Sequence, residues 1–270
     1  MFRQDSPVAS VAPRCANPIP ILMYHGVEDT PLPANHKHLY VMASEFARHM
    51  NSLKRAGYQA ITLDDVVASQ KDASILPEKP IVLTFDDGYA NLYRNVHPIL
   101  GELGYPYTVY LVSGKIGQTS DWDLAEGYVA RPLLKWREIH RMHRDGHAHF
   151  HPHSITHPRM AQLSPQEAYR EMSESRDVLA QEFGVAPNHF CYPFGSYSDV
   201  TRDMAVELGF VSAVTTEFGR VRPTDDPLRL PRISMYHVPY LSFTYGIAPL
   251  NFWWRIQSRE DRRDRRSLRR

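Results

Sequence analysis

The sequence contains only two cysteines, Cys15 and Cys191, among 270 residues. Two thiols cannot form the multi-bridge framework of a small secreted scaffold, and nothing in their spacing favours a single bridge. The sequence also lacks any apolar run near the roughly 20 residues that a membrane-spanning helix requires. Its start does not combine a basic segment with an apolar one, as a secretion signal does. These absences predict a cytoplasmic protein.

The sequence has almost no net charge, because 31 basic residues face 30 acidic ones for a formal value of +1. The balance is uneven along the chain. Residues 255–270 hold eight arginines and three acidic residues, so that stretch carries +5 and the remainder −4. An arginine cluster can bind nucleic acid. Here acids are interspersed and the rest of the chain is negative, so we predict no nucleic-acid partner.

The length and the 43% apolar content suit one large α/β domain with short extensions. Residues 1–18 are rich in proline, alanine and serine and predict a flexible arm. Residues 19–240 are the predicted catalytic domain. Residues 241–270 are aromatic and then arginine-rich, a pattern that suits peripheral contact with an anionic membrane at its inner face. A packed segment followed by a solvated tail is the simpler alternative. No obligate protein partner is evident.

Short apolar runs alternate with helical patterns along the predicted domain. The runs predicted as buried strands are 19–25, 80–85, 108–112, 189–194 and 210–216. The predicted helices are 44–56, 95–103, 132–145, 164–183 and 199–208. This alternation is typical of a parallel sheet with crossover helices. A barrel of parallel strands would collect the polar strand ends at one face, and an open doubly wound sheet is the alternative.

The pair Asp86 and Asp87 directly follows the apolar run 80–85 and precedes Gly88. Adjacent carboxylates repel each other, and a bound cation relieves that repulsion. Neighbours in extended backbone point to opposite sides, so the two acids would have different roles. A strand-end turn that simply uses aspartate and glycine is the alternative for this motif alone.

Seven of the fourteen histidines lie between positions 140 and 157, where the predicted helix 132–145 leads into a segment interpreted as a loop. His153 and His157 are four residues apart, which on a helical turn places two imidazoles on one side for a shared metal. With a carboxylate they make a three-ligand site that keeps positions open for water and substrate. Zinc suits this set, and cobalt, manganese or nickel also fit. A surface histidine-rich loop is the alternative.

A third motif, Cys-Tyr-Pro-Phe-Gly at 191–195, ends another predicted strand. A turn of this composition can direct a backbone N–H at an oxyanion, although an ordinary turn is the simpler interpretation. Its members Tyr192, Pro193 and Gly195 are the predicted substrate-binding residues.

Together the motifs resemble the NodB-type polysaccharide deacetylases of carbohydrate esterase family 4. The resemblance rests on Thr-Phe-Asp-Asp-Gly at 84–88, followed by His-Ser-Ile-Thr-His-Pro at 153–158. Met-Tyr-His at 23–25 and the 192–195 turn are similar to the branch that deacetylates poly-N-acetylglucosamine. The resemblance implies an α/β fold, a distorted (β/α) barrel with fewer than eight parallel strands.

The resemblance also implies residue roles. Asp86 matches the general base, whereas Asp87, His153 and His157 match the metal ligands. Phe194 matches the position whose backbone N–H helps to bind the oxyanion. The implied reaction is metal-dependent removal of N-acyl groups, chiefly acetyl, from an amino sugar or polysaccharide. A deacylase or deformylase of a lipid-linked amino-sugar precursor and a non-catalytic carbohydrate-binding protein are the alternatives.

Two parts of the family pattern are missing. Cys191 stands where the family often has an arginine that orients the base, and Arg232 in Leu-Pro-Arg-Ile is the candidate replacement. No late Leu-x-His motif is present for the general acid, so His25 and His237 are both candidates. The segment before His153 is one residue longer than usual, which makes His151 a competing candidate ligand.

Overall fold

The computed structural model describes residues 18–30, 39–122, 124 and 127–236. His237, the greater part of the predicted arm and the whole segment 241–270 lie outside these residues, so the predictions made for them stay predictions. Within the described residues, no helix is long and apolar enough to cross a membrane.

The described residues form ten strands and seven α-helices. The strands are β1 Ile21–Tyr24, β2 Gly26–Glu28, β3 Tyr40–Met42, β4 Gln59–Ala60, β5 Pro80–Phe85, β6 Tyr107–Leu111, β7 Ala148–Pro152, β8 His189–Cys191, β9 Ser212–Phe218 and β10 Leu230–Ser234. The helices are α1 Ala43–Arg55, α2 Leu63–Ser69, α3 Leu92–Asn95, α4 His97–Leu103, α5 Trp136–Arg144, α6 Pro165–Phe183 and α7 Asp199–Glu207.

Seven parallel strands make a nearly closed barrel in the order β7-β6-β5-β1-β10-β9-β8. The strand β4 pairs with the first two residues of β5, and β2 and β3 form a separate parallel pair. The barrel edges β7 and β8 approach through side chains: His153 Nδ1 donates to the Cys191 carbonyl at 2.8 Å. The rings of His151 and His189 also lie 4.7 Å apart. The predicted barrel of fewer than eight strands is confirmed, and the open doubly wound alternative is wrong.

The strands are buried on both faces, as a parallel sheet covered by helices requires. Their outer faces pack in two clusters, one with α1, α3, α4, α5 and the C-terminal end of α6, and one with the first half of α6 and α7. Apolar side chains also fill the interior of the barrel. They include Ile21, Val82, Tyr110, Val214 and Leu230. Alternation along β5 then places Thr84 and Asp86 on the same face as Val82, which is the interior face.

All five predicted strands are present, with ends shifted by a few residues. The segment interpreted as a histidine-rich loop, however, contains β7, and β10 was not predicted. The predicted helix 132–145 is shorter, and the one at 95–103 corresponds to α4, with the short helix α3 directly before it. The strongest predicted helix start is confirmed: Ser164 and Glu167 form a capping box before α6, with Pro165 at its first position.

Candidate active site

The carboxyl ends of β1, β5, β7, β8 and β10 bring the motif residues together. Asp86 follows the last residue of β5 and is buried. Arg232, from the middle of β10, is also buried and donates two hydrogen bonds to it. The Arg232 Nη1–Asp86 Oδ1 distance is 2.7 Å and the Nη2–Oδ2 distance is 2.6 Å. Such a bidentate pair fixes the plane of a carboxylate as well as its charge.

The remaining contacts of Arg232 hold its guanidinium in place. Its Nε donates to the carbonyl of Thr215 at 2.8 Å, and Nη1 also donates to the hydroxyl of Thr84 at 3.1 Å. Burial alone would disfavour the ionised form of Asp86, but the charge and hydrogen bonds of Arg232 outweigh it. The pKa of Asp86 therefore lies below its ordinary value.

Asp87 turns away from Asp86 and faces two imidazoles. Its Oδ1 lies 3.4 Å from His153 Nε2 and 3.3 Å from His157 Nε2. The backbone of Asp87 is left-handed, with φ of 70°. The side chains of Asp86 and Asp87 therefore diverge because of a turn at Asp87, and not because the backbone is extended, as the sequence had suggested. Burial opposes ionisation here too, but the contacts with His153 and His157 hold the pKa of Asp87 well below its ordinary value.

The helical turn assumed for His153 and His157 is wrong. Residues 153–157 form a loop in which Ser154 and His157 have positive φ values of 65° and 66°. The hydroxyl of Ser154 accepts a hydrogen bond from the backbone N–H of His157 at 3.0 Å, which closes the loop. The two rings still converge, with centroids 4.8 Å apart.

Each imidazole is oriented by its surroundings. Because the Cys191 carbonyl can only accept, His153 carries its proton on Nδ1 and presents a bare Nε2 to Asp87 when neutral. The His157 ring packs between Trp122 and Phe194, at 4.5 Å from each. Burial lowers the pKa of His157, and the contact with Asp87 offsets this only in part. His157 thus favours the neutral form that binds a metal. Although burial opposes it, Cys191, Asp87 and Asp86 hold the pKa of His153 well above its ordinary value, so a metal would displace a proton from this ring.

The donor set of Asp87, His153 and His157 fits a divalent cation. Their ligand atoms lie within 4.8 Å of one another, and all three residues are buried. The Oδ1 atom of Asp87 has no hydrogen-bond partner, which is costly for a buried carboxylate unless something else compensates it. One carboxylate with two imidazoles is a ligand combination typical of zinc sites with open positions.

A second group of potential ligands, Asp86, His153 and Cys191, is equally compact. Both oxygens of Asp86 already accept from Arg232, whose Nη2 is also 3.3 Å from the Cys191 sulfur. Burial raises the pKa of the Cys191 thiol, and Asp86 adds to this effect against the opposing charge of Arg232. A cation there would meet a guanidinium and a neutral thiol, so the Asp87 group is the better metal site.

His25 and His151, whose roles the sequence left open, lie in different parts of the structure. His25, just after β1, has Nε2 3.9 Å from Asp86 Oδ2, and 15% of its side chain is exposed. It therefore reaches the site from the open side. His151 lies on β7 with its ring against Tyr110 and His189, and its burial with His189 beside it holds its pKa well below the ordinary value. His151 is absent from both groups of potential ligands.

The turn after β8 borders the site through its backbone. The Tyr192 side chain is buried among Phe190 and Tyr197, so a substrate contact from Tyr192 would have to come from its main chain. Phe194 has a left-handed backbone with φ of 57° and contacts His157. Pro193 is buried, and Gly195 is also left-handed, with φ of 65°.

The family model for polysaccharide deacetylases matches residues 73–213, more than half of the chain. The chain belongs to the polysaccharide deacetylase family. The match covers the segments that carry Asp86, Asp87, both loop histidines and the 191–195 turn. Arg232 and His25 lie outside it, so their place in this deacetylase-family site rests on the geometry above.

Two curated relatives extend the likeness over most of the chain. The protein YxkH of Bacillus subtilis is 28% identical over 201 residues, which is 74% of this chain and 65% of the relative. The poly-β-1,6-N-acetyl-D-glucosamine N-deacetylase of Staphylococcus aureus is 22% identical over 205 residues, 73% of this chain and 68% of the enzyme. The chain thus spans just under two thirds of the length of YxkH.

Solved structures share the architecture of this deacetylase-family domain. The Streptococcus pyogenes deacetylase PplD, solved in complex with acetate, superposes with a TM-score of 0.70 at 26% identity, covering 82% of this chain and 94% of PplD. IcaB from Ammonifex degensii superposes with a TM-score of 0.72 at 19% identity, covering 86% and 97% respectively. The likeness to IcaB, at this identity, shows the fold.

Sequence reasoning missed two residues that shape this deacetylase-family site. Trp122 packs on His157, and Glu171 binds the 153–157 loop. Glu171 alone had a signal in the sequence. It lies on the buried stripe of α6 beside Met172, where a carboxylate is unexpected without a polar partner.

Proposed function

We propose that this protein is a metal-dependent hydrolase that removes N-acetyl groups from an amino-sugar polymer. The observation that carries the proposal is the divergence of Asp86 and Asp87. One carboxylate is held ionised by Arg232, and the other faces the imidazoles of His153 and His157. Adjacent acids with such different partners suit a base beside a metal ligand, whereas simple carbohydrate binding requires no such division.

Asp87, His153 and His157 would hold the divalent cation, with zinc as the first candidate and cobalt, manganese or nickel as further ones. Bound there, the cation would supply Lewis-acid polarisation of the substrate carbonyl and of water. The Oδ1 atom of Asp87, buried without a hydrogen bond, supports this assignment.

Asp86 would act as the general base. Its lowered pKa keeps it ionised at neutral pH, and the two bonds from Arg232 direct its carboxylate. During attack it accepts a proton from water. His25, when protonated, would donate to the leaving amine, since its Nε2 lies 3.9 Å from Asp86 Oδ2 on the open side. His237 stays an alternative acid, outside the described residues.

Phe194 would bind the developing oxyanion through its backbone N–H. The left-handed backbone of Phe194 and its contact with His157 fix this peptide beside the proposed metal ligands. A donor of this kind contributes about 3 kcal/mol of transition-state stabilisation. Tyr192, Pro193 and Gly195 would shape the same wall of the substrate site through their main chain.

The name of the Staphylococcus aureus relative points to the first substrate to test, oligomers of β-1,6-linked N-acetylglucosamine. The wild-type protein, loaded with zinc or cobalt, is incubated with these oligomers, and acetate and deacetylated products are measured by mass spectrometry. A lipid-linked amino sugar carrying formyl or acetyl groups serves as the parallel substrate. We expect acetate release from the oligomers, dependent on added metal.

Two variants and a control assign the roles. Asp86→Asn should retain metal and lose about 10²- to 10⁴-fold in turnover, the usual contribution of a general base. Asp87→Asn should lose metal by elemental analysis. Asp203→Asn, an exposed change on α7, should behave as wild type. Wild-type turnover by Asp86→Asn would refute its role as base. Oligomer binding without any acetate release would instead favour a carbohydrate-binding protein.

A further inference from the structure

Glu171 is a buried carboxylate that points from α6 at the 153–157 loop. Its Oε2 accepts hydrogen bonds from the backbone N–H groups of Ile155 at 2.8 Å and Thr156 at 2.9 Å. Its Oε1 accepts from the hydroxyl of Thr156 at 2.7 Å. No ion pair of Glu171 is found among the described residues. A buried carboxylate that has lost its hydration depends on such donors for compensation, and these three bonds supply it.

The loop held by Glu171 has an unfavourable backbone. Ser154 and His157 both have positive φ, a conformation that side-chain-bearing residues adopt rarely. The two N–H groups bound by Glu171 lie between these residues. On the other side, the N–H groups of Ser113 and Gly114 donate to the carbonyls of Ser154 and Ile155, both at 3.1 Å. The loop is thus fixed from two directions.

We propose that Glu171 is a positioning residue for the metal ligand His157. The inference rests on the proposed metal site. Glu171 does not touch the site itself: it fixes Ile155 and Thr156, and the next residue along the chain is His157. Without the three hydrogen bonds from Glu171, the loop relaxes towards ordinary backbone angles, and the imidazole of His157 moves away from Asp87. The expected consequence is weaker metal binding in a protein that is otherwise folded, because orienting partners outside the ligand set contribute about 10- to 100-fold in metal affinity.

Two substitutions separate the effect of the three Glu171 hydrogen bonds from the effect of the Glu171 charge. Glu171→Ala removes all three bonds and should weaken cobalt or zinc binding by about 10- to 100-fold in a competition titration with a chelator. Glu171→Gln keeps one oxygen for the two backbone N–H groups, and its amide can donate to the Thr156 hydroxyl. It should therefore bind metal within a few-fold of wild type, and such a rescue would not be expected if the charge itself were required.

Two further measurements keep the test decisive. Glu171→Asp keeps the charge but shortens the reach, so it should also bind metal more weakly; it decides the question if Glu171→Ala does not fold. Amide hydrogen exchange should speed up at residues 155–157 in Glu171→Ala and Glu171→Asp and stay unchanged elsewhere in the barrel. Glu174→Gln, an exposed change on the same helix, is the matched control and should bind metal as wild type.

The outcomes distinguish this inference from the proposed function. If Glu171→Ala and Glu171→Asp bind metal as tightly as wild type, the positioning role is overturned and the metal site stands. If the wild-type protein binds no metal, the proposed function itself fails. If amide hydrogen exchange accelerates throughout the barrel in Glu171→Ala and Glu171→Asp, Glu171 supports the fold in general, and its specific role towards His157 is overturned.

Discussion

Arg232 and Asp86 form a bidentate ion pair inside the barrel, although 146 positions separate them in the sequence. Cys191 lies against both partners, at 3.6 Å from Asp86 Oδ2 and 3.3 Å from Arg232 Nη2. An arginine of β10, the neighbour of β1 and β9 in the barrel, thus lies beside Cys191 and against Asp86. Removing either partner would leave an uncompensated buried charge, which is far more costly than the pair itself is stabilising.

The first prediction concerns this pair. Arg232→Met should lower the free energy of unfolding by about 3–5 kcal/mol, because Asp86 is left buried and unpaired. Arg232→Lys keeps a charge without the planar fork, so it should cost less in stability but still misorient Asp86 and reduce turnover. Urea unfolding and acetate release measure the two effects.

Arg202→Lys is the control for this prediction, since Arg202 also pairs with an aspartate, Asp226, but near the surface. It should change stability by no more than about 1 kcal/mol. Equal urea midpoints for Arg232→Met and wild type would show that the buried pair does not support the fold.

The sequence was informative where residue type and local pattern coincide. The segment before Asp86 is a largely apolar run, and the strand predicted at 80–85 has the same bounds as β5. The capping box at Ser164 and Glu167 likewise defines the start of α6. The motif residues Asp86, Asp87, His153 and His157 were predicted from their resemblance to a known family, and the fold brings all four to one end of the barrel.

What the sequence did not reveal depends on long-range packing. The strand β7 carries His149, His151 and Pro152 in place of an apolar run, and β10 contains Pro231 and Arg232, so neither has an ordinary strand pattern. Both are strands because each pairs with a strand that is distant in the sequence, β10 with β1 and β7 with β6. The 153–157 loop was misread as helical because the spacing of two histidines carries no information about Glu171, which determines the backbone between them.

The second prediction distinguishes His157 from His151 as a metal ligand. Zinc or cobalt at about 100 times its dissociation constant should stabilise the wild-type protein by about 2.7 kcal/mol, a rise in Tm of roughly 5–10 °C. His157→Ala should lose most of this rise. His151→Gln should keep it, because the His151 ring packs against Tyr110 and His189. Thermal unfolding with and without metal gives the answer, and the opposite pattern would exchange their roles.

The third prediction is loss of stability in acid through His49, a buried residue of α1 whose ring lies 3.3 Å from the Tyr24 hydroxyl. Burial, with a smaller contribution from Arg48, lowers the pKa of His49 to about 4. The unfolded chain, with a histidine pKa near 6.5, therefore binds the proton first as the pH falls. The contribution of neutral His49 to the free energy of unfolding is therefore present above about pH 6.5 and is lost towards pH 4. The loss between pH 7.5 and pH 5 is about 2 kcal/mol.

His49→Gln removes this titration and keeps an acceptor for the Tyr24 hydroxyl. Urea midpoints at pH 7.5 and pH 5 should differ less for the variant than for wild type. The buried His151 has a lowered pKa of the same sign, so part of the acid sensitivity should persist in the variant. An unchanged difference between the two pH values would contradict the role of His49.

The fourth prediction concerns Gly195 in the turn that holds Phe194. Gly195 has φ of 65°, and a Cβ atom there would lie 2.1 Å from Thr216 Oγ1 and 2.7 Å from the Thr216 backbone nitrogen. Gly104, after α4, has the same φ of 65° but open space around it. Gly104→Ala should therefore report the backbone strain alone, about 1 kcal/mol. Gly195→Ala adds a clash with backbone that cannot be relieved by a side-chain rotation, so its stability should fall by clearly more.

The clash should also displace Phe194, its neighbour in the turn. Gly195→Ala should then reduce the turnover number at saturating metal, whereas Gly104→Ala should leave it unchanged because Gly104 lies at the helix end that precedes β6. Urea unfolding and acetate release on the two variants test both parts. Equal losses of stability would show that the turn moves freely away from Thr216, and a normal turnover number for Gly195→Ala would argue against Phe194 as the oxyanion donor.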